Sequence, residues 1–259
     1  PWAVADKWDE YLMPNEPDYP SHDPDWNTDE SFDKYGDRQG RNPEPDLYVP
    51  PDGNGPGTGF RVYDEMGSGT RVWRDYGTQL TLKLGDSERR YSSGWFLALR
   101  LGDSTGGDDY RENIKNCIGV QYKIGDVLDV STEQGNKVGP TRQGVEDDSD
   151  SLVAKDPNAW WDPNAAHPSG KGRIAGSDFA VSPRLVPVPV FSLDEYLATN
   201  PTGRSTVKIR NILGFFVEGM GGPGRQDVIG RLVTYPGFTV GNSTLTGPSS
   251  FMKQIILVR

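Results

Sequence analysis

The most apolar part of the chain is Val207-Lys208-Ile209-Arg210-Asn211-Ile212-Leu213-Gly214-Phe215-Phe216-Val217. Val207–Ile209 and the run Ile212–Val217 carry the signal of a strand, because short apolar segments with a period of two are typical of strands that face a core. This stretch therefore favours a β fold and is the most apolar of the predicted strands.

Shorter segments of the same kind lie on both sides of it. Residues 185–191 (LVPVPVF) are strongly extended, but two prolines lack ladder donors, so we expect an edge strand or irregular structure there. The other predicted strands are Phe60–Val62, Val72–Trp73, Leu80–Leu84, Phe96–Leu101, Val228–Tyr235 and Ile255–Val258.

Only short helices are predicted. One spans Tyr110–Cys117, and a second begins at Gly139-Pro140-Thr141 and has acidic residues in its first half. Ser192 and Glu195 have the spacing of a capping box, which predicts a third helix at 192–197. With 32 Gly and 21 Pro, turn formers exceed a fifth of the 259 residues, which favours strands over a helical bundle.

Together these patterns predict a mainly β fold with a few short helices. We expect a β-sandwich-like or irregular β-rich body at residues 58–259, with an extended acidic arm at residues 1–57. The arm is rich in proline, which argues against regular helix or central strand, and its interleaved aromatic residues indicate packing against the body.

The charge of the chain is concentrated in this arm. Residues 1–56 hold 14 Asp and Glu against 4 Lys and Arg, which equals the whole net charge of −10, and the remainder is balanced with 23 of each. Because phosphate binding needs a basic face, nucleic acid is excluded as an expected partner, and cations are better candidates.

Calcium is the one metal that the arm favours. Asp23, Asp25, Asn27, Asp29 and Asp33 place oxygen ligands at alternating positions, as calcium loops do. The EF-hand pattern nevertheless fails, since its turn glycine and its final glutamate are both missing. Two further acidic stretches, at 103–109 and 146–150, offer weaker candidates, because acidic runs are usually solvated faces.

No catalytic pattern emerges, so we expect a protein that is not an enzyme. Gly219–Gly224 matches the glycine spacing of dinucleotide-binding loops, but a strand follows it instead of a helix, so we interpret it as a hairpin turn. His22 and His167 lie in proline-flanked loops and are interpreted as facing solvent. They and the single Cys117 cannot form a closed zinc site without carboxylates.

Carbohydrate chemistry remains an alternative. Paired carboxylates beside aromatic rings occur in glycosidase clefts, and Trp160-Trp161-Asp162 could stack on a sugar. Packing in a core or an interface is the more common role of such aromatic residues.

The ends of the chain carry no targeting signal. The sequence begins at Pro1 without an initiator Met or a signal peptide, so we expect a processed or truncated fragment. No run approaches the roughly 20 apolar residues that a membrane-spanning helix needs. With one cysteine, no intrachain disulfide is possible.

Seven blocks of residues follow one another along most of the chain. They are Leu82–Asp86, Gly94–Phe96, Tyr110–Cys117, Gly135–Val145, Asp156–Trp160, Ser182–Phe191 and Asn211–Gly219. In this order they resemble the C-terminal region of the TadG-like proteins of tight-adherence (Flp) pilus systems. The resemblance covers residues 75–259 approximately. Pro1–Trp8 is loosely similar to the sequence that follows the membrane-proximal part of such proteins.

The resemblance implies a transmembrane anchor outside this sequence, which places the region in the periplasm or at the cell surface. It implies a minor pseudopilin-like or envelope component of pilus assembly that contacts other assembly proteins or itself, and it carries no catalytic residues. One departure is that relatives often have a second cysteine shortly before the Ser182-Pro183-Arg184 block, where Ile174–Phe179 has none, which would leave Cys117 unpaired.

Three functions follow as expectations. The first is a non-enzymatic envelope component that acts through protein–protein contacts, with the strands at 185–191 or 207–217 offered for β-addition. The alternatives are an extracellular carbohydrate-binding or carbohydrate-active protein, and a calcium-stabilised surface adhesin module.

Overall fold

The computed structural model describes residues 1–5, 63–65, 71–73, 76–84, 95–102, 106–116, 122–130, 137–199, 205–222, 224–238 and 252–255. The fold is mainly β with a few short helices, as the sequence predicts. The strands are β1 (Trp2–Ala5), β2 (Tyr63–Glu65), β3 (Arg71–Trp73), β4 (Gln79–Leu84), β5 (Trp95–Arg100), β6 (Val127–Val130), β7 (Trp160–Asp162), β8 (Arg173–Ala175), β9 (Leu185–Phe191), β10 (Thr206–Gly221), β11 (Asp227–Val233), β12 (Tyr235–Phe238) and β13 (Met252–Ile255). The helices are α1 (Gly107–Lys115), α2 (Val138–Arg142), α3 (Leu152–Lys155) and α4 (Leu193–Ala198), and a π-helical turn at Gln143–Asp147 continues α2.

Six strands form a mixed sheet that closes on itself. In order around the ring these are β1, β9, β10, β11, β4 and β5, and β5 pairs with β1 again. The β1–β9 and β4–β5 pairs are parallel, and the other four are antiparallel. β6 pairs with both β5 and β10 and so bridges the ring. The closed ring gives each of its strands two neighbours, which reduces the number of exposed edges.

β10 is the central strand of this sheet. It pairs with β6 at its start, with β9 through its middle and with β11 at its end. Residues alternate between buried and exposed up to Arg210, and all of 211–217 are buried because the strand is covered on both faces there. The expectation that 207–217 offers a free edge for β-addition is therefore wrong.

The first residues of the chain belong to the body. Trp2–Ala5 form a fully buried strand between β5 and β9, and the Trp2 indole donates to the hydroxyl of Tyr110 in α1 at 2.9 Å. The expectation of no central strand in residues 1–57 is thus wrong for this segment. The reason is local, since Trp2–Ala5 is apolar and contains no proline. The remainder of the arm lies outside the described residues.

β9 tolerates its two prolines through its register. The Val217 amide donates to the Arg184 carbonyl at 2.9 Å, which puts the hydrogen-bonded pairs with β10 on the even-numbered residues of β9. Pro187 and Pro189 therefore direct their nitrogens away from β10, and β1 pairs only with the last two residues of β9. β9 lies between β1 and β10 and is therefore not the predicted edge strand, although among the described residues 185–189 have no partner on the side away from β10 and form a short local edge. Such an edge lacks amide donors, so it is a poor template for β-addition.

The helices lie where the sequence predicts them. α1 and the π-helical turn pack closely, and a Cβ on Gly144 would lie 2.9 Å from Cβ of Ile114. Ser192 caps α4 by accepting a hydrogen bond from the amide of Glu195 at 3.4 Å. Within the described ranges, no helix is long and apolar enough to cross a membrane.

Candidate interaction surface

A short hairpin and the loop after it form the most conspicuous surface feature. β7 and β8 pair as an antiparallel hairpin, with Trp161 opposite Ile174. The chain then turns at Gly176, whose φ of 71° favours glycine, and a Cβ there would collide with the backbone oxygen of Asn158. After this turn residues 178–181 are exposed, and we call residues 177–182 the 177–182 loop.

One buried carboxylate holds both ends of the 177–182 loop. Asp156 is fully buried, and its Oδ2 accepts hydrogen bonds from the hydroxyls of Ser177 and Ser182, each at 2.6 Å. Its Oδ1 lies 3.4 Å from the amide of Asp178. Because hydrogen bonds to an ionised group are stronger than neutral ones, Asp156 fixes the backbone at the beginning and at the end of the loop.

A buried arginine attaches this region to the central sheet. The guanidinium of Arg184 donates to four backbone carbonyls, those of Asp156 (3.1 Å), Ala159 (2.7 Å), Val217 (2.9 Å) and Glu218 (2.8 Å). It also lies 5.1 Å from the centre of the Phe216 ring. Burial lowers the pKa of Arg184, and the nearby negative charge of Asp156 opposes that shift. The loop is thus held on a rigid support.

Between its two fixed ends the loop exposes apolar side chains. Phe179 is 50% exposed and Val181 is 49% exposed, whereas Ser182 is buried. A cleft of about 490 Å³ lies beside them. Its lining residues are Arg173–Ser177, Phe179–Ser182, Leu185 and Thr234. Exposed apolar residues on a fixed backbone beside a concavity can receive an apolar side chain of a partner at little entropic cost.

The far end of the hairpin packs on an aromatic cluster. The ring of His167 stacks on Tyr76 at 4.0 Å, and Trp161 lies 5.7 Å from Tyr76. His167 is half-buried because Tyr76 covers one face of its ring, so its interpretation as facing solvent holds only in part. Burial raises the pKa of Tyr76 to about 12, and Arg173 opposes this shift. The predicted packing role is confirmed for Trp161, which is 7% exposed, while Trp160 stays 52% exposed.

The acidic stretch at 146–150 is occupied by ion pairs. Lys115 contacts Asp148 at 2.6 Å and Asp150 at 2.7 Å, and Arg225 contacts Glu146 at 2.9 Å. Burial alone would lower the pKa of Lys115, but its hydrogen bonds to these carboxylates hold it above its ordinary value. Among the described residues, no group of His, Cys, Asp and Glu side chains is arranged to hold a metal ion.

Several predicted residues cannot be placed. The calcium ligands Asp23, Asp25, Asn27, Asp29 and Asp33 lie outside the described residues, so this site stays a prediction. His22, Cys117 and Asp103 lie outside them as well. The glycine-rich segment at 219–224 ends β10 and leads into the turn before β11, which confirms its interpretation as part of a hairpin.

Sequence reasoning did not single out Asp156 or Arg184 as site residues. Both occur in blocks that carry the family resemblance, and so do their partners Ala159, Ser182 and Val217. No local signal distinguishes Asp156, because Asp156-Pro157-Asn158 has the composition of an ordinary loop. Comparison with family models, with curated proteins and with solved structures found nothing that matches this chain.

Proposed function

We propose that this chain is a non-enzymatic component of a cell-envelope or surface assembly that acts through protein–protein contacts. The observation that carries the proposal is the 177–182 loop, which exposes Phe179 and Val181 while Asp156 fixes both of its ends. A free apolar loop would lose conformational entropy on binding, whereas a fixed one avoids most of that cost. Such an arrangement favours a docking role over a purely structural one.

The family resemblance gives the proposal its setting. The chain resembles TadG-like proteins of tight-adherence (Flp) pilus systems, so we propose pilus assembly as the process and the periplasm or cell surface as the location, with the anchor outside this sequence. The partners would be other pilus or envelope proteins, or a second copy of this chain. The elements that position the 177–182 loop, at Asp156–Trp160 and Ser182–Phe191, are among the blocks that resemble the family.

A crosslinking experiment in piliated cells tests this proposal. A photoreactive phenylalanine analogue at position 179 should crosslink to an assembly protein, while the same analogue at Ile124, which is also exposed at 42%, should not. The double variant Phe179→Ser, Val181→Ser should fold normally and lose pilus formation. The matched control is Ile124→Ser, Val127→Ser, which removes two apolar side chains from another exposed site and should assemble pili as the wild type does. Normal piliation by the loop variant would refute the proposed docking role.

The calcium-stabilised adhesin remains a separate candidate that rests on the sequence of the arm. If the segment around Asp25 binds Ca²⁺, adding EDTA should lower the melting temperature of the full chain, because a ligand that binds only the folded state stabilises it. The variant Asp25→Asn, Asp29→Asn should be insensitive to EDTA. An unchanged melting temperature of the wild type in EDTA would eliminate this candidate.

A further inference from the structure

Trp160 is an exposed aromatic residue that neither the fold nor the proposed docking role requires. Exposed and buried residues alternate through this part of the chain, so Asn158 and Trp160 face outward, while Ala159 and Trp161 face the core. Among the described residues the Trp160 indole makes no hydrogen bond or ring contact. Trp160 thus offers a flat apolar ring to solvent on the rigid β7–β8 hairpin.

A pair of planar polar groups belongs to the same turn region as this indole. The Asn158 amide donates to Oδ2 of Asp178 at 3.3 Å, and both side chains are exposed. Gly176 connects the two features, since a Cβ there would lie 3.0 Å from Cδ1 of Trp160 and would collide with the Asn158 carbonyl oxygen. Asp178 follows Gly176 by two residues and is held through its amide by Asp156.

The remaining hydrogen-bonding capacity of this pair is suited to hydroxyl groups. Asn158 retains its side-chain oxygen and one amide hydrogen, and Asp178 retains Oδ1 as an acceptor. Vicinal hydroxyls of a sugar ring both donate and accept, so they can bind an amide and a carboxylate together. The C–H face of a pyranose ring is weakly positive and packs on the negative face of an indole.

We propose that Trp160, Asn158 and Asp178 form a subsite for one pyranose ring of a polysaccharide. The indole supplies the stacking surface, and the polar pair fixes the orientation of the ring through its hydroxyls. The subsite binds sugar without hydrolysing it, and its existence does not depend on the proposed assembly role. Phe179 and Val181, which carry that role, are not among its three residues.

A glycan array probed in parallel with wild-type protein and with Trp160→Ala tests this subsite. Wild type should bind one or more immobilised pyranose oligosaccharides, and a hit should then be titrated in solution. Trp160→Ala should weaken this binding about ten-fold or more, and Trp160→Phe less, because a phenyl ring retains part of the stacking surface. Asn158→Ala should weaken it as well. Since all these side chains are exposed, the variants should keep the wild-type melting temperature.

The matched control is Phe179→Ser, Val181→Ser, which should bind the same oligosaccharides as tightly as wild type. In this control, retained sugar binding with lost piliation would support the docking role and would show that the sugar does not bind through Phe179 and Val181. Lost sugar binding in Trp160→Ala would support the subsite whether or not pili form. The subsite would be refuted if wild type bound no oligosaccharide on the array, or if Trp160→Ala bound each of them as tightly as wild type.

Discussion

Replacing Asp156 by alanine removes the carboxylate that holds both ends of the 177–182 loop. In the wild type its Oδ2 accepts from the hydroxyls of Ser177 and Ser182 at 2.6 Å, and the whole residue is buried. The variant leaves the Ser182 hydroxyl buried without this acceptor, while Ser177, which is half-buried, can turn toward water. It also removes the negative charge that favours the buried guanidinium of Arg184.

The expected loss of stability can be worked from these contacts. A hydrogen bond to a charged group contributes about 1.5–3 kcal/mol, so two of them give about 3–6 kcal/mol. Two effects reduce this sum: Ser177 can hydrogen-bond to water in the variant, and the variant no longer has to bury a carboxylate. We therefore expect Asp156→Ala to lower the free energy of unfolding by about 3 kcal/mol. Both serines donate to the same oxygen, so the side-chain oxygen of Asp156→Asn can still accept both hydrogen bonds. This variant should lower the free energy of unfolding by only about 1–2 kcal/mol.

Urea unfolding followed by tryptophan fluorescence measures both variants, and an unchanged m-value would show that the two-state comparison holds. Asp178→Ala serves as the matched control, because this exposed loop carboxylate makes a single side-chain bond of 3.3 Å and should change stability by no more than about 0.5 kcal/mol. The reasoning is refuted if the free energy of unfolding of Asp156→Ala lies within about 1 kcal/mol of the wild-type value, or if Asp156→Asn is less stable than Asp156→Ala.

Three further predictions concern other contacts. Gly144→Ala should lower the free energy of unfolding by about 1–3 kcal/mol in urea melts, because its Cβ would crowd Ile114 at 2.9 Å, whereas Gly139→Ala in the same helical segment has open space and should be neutral or slightly stabilising. Lys115→Met should lower the free energy of unfolding by about 1–2 kcal/mol at pH 7, because it leaves a cluster of partly exposed carboxylates without their cation. This difference from wild type should shrink above about pH 10, because Lys115 then loses its proton in the unfolded wild type but keeps it in the folded state. In the folded protein the pKa of Tyr76 is about 12, above its ordinary value, so the stability of the wild type should fall as pH rises from 10 to about 12. Thermal melts across this range should show a smaller fall of stability with pH for Tyr76→Phe. An equal fall in both proteins would contradict this prediction.

Local patterns were sufficient to locate most elements of the body. Strands β4, β5, β10 and β11 follow from apolar spacing, and α4 follows from the Ser192 cap. The closed sheet was not predictable, because the pairing of β1 with β5 and β9 joins residues that are about 90 and 185 positions apart, and no local pattern encodes that.

The candidate site was less accessible to sequence reasoning than the fold. Trp160-Trp161 was recognised as a notable pair, but only the strand register shows that Trp161 faces the core and Trp160 faces solvent. Asp156 resembles any loop carboxylate in sequence, and its burial depends on two serines that lie 21 and 26 residues later. Buried polar networks of this kind are set by tertiary packing, so composition and spacing do not reveal them.

The closed sheet also has a consequence for the time course of folding. β1 pairs with residues 96–98 and 190–191, and β4 pairs with 228–231, so the ring cannot be completed until most of the chain is available. Loop-closure entropy opposes each of these distant pairings, so acquisition of the native sheet should be slow compared with formation of α1 or the β10–β11 hairpin. During that interval β5 and β9 would expose unpaired backbone, and a chain that emerges into a crowded compartment would be most prone to misassociation there.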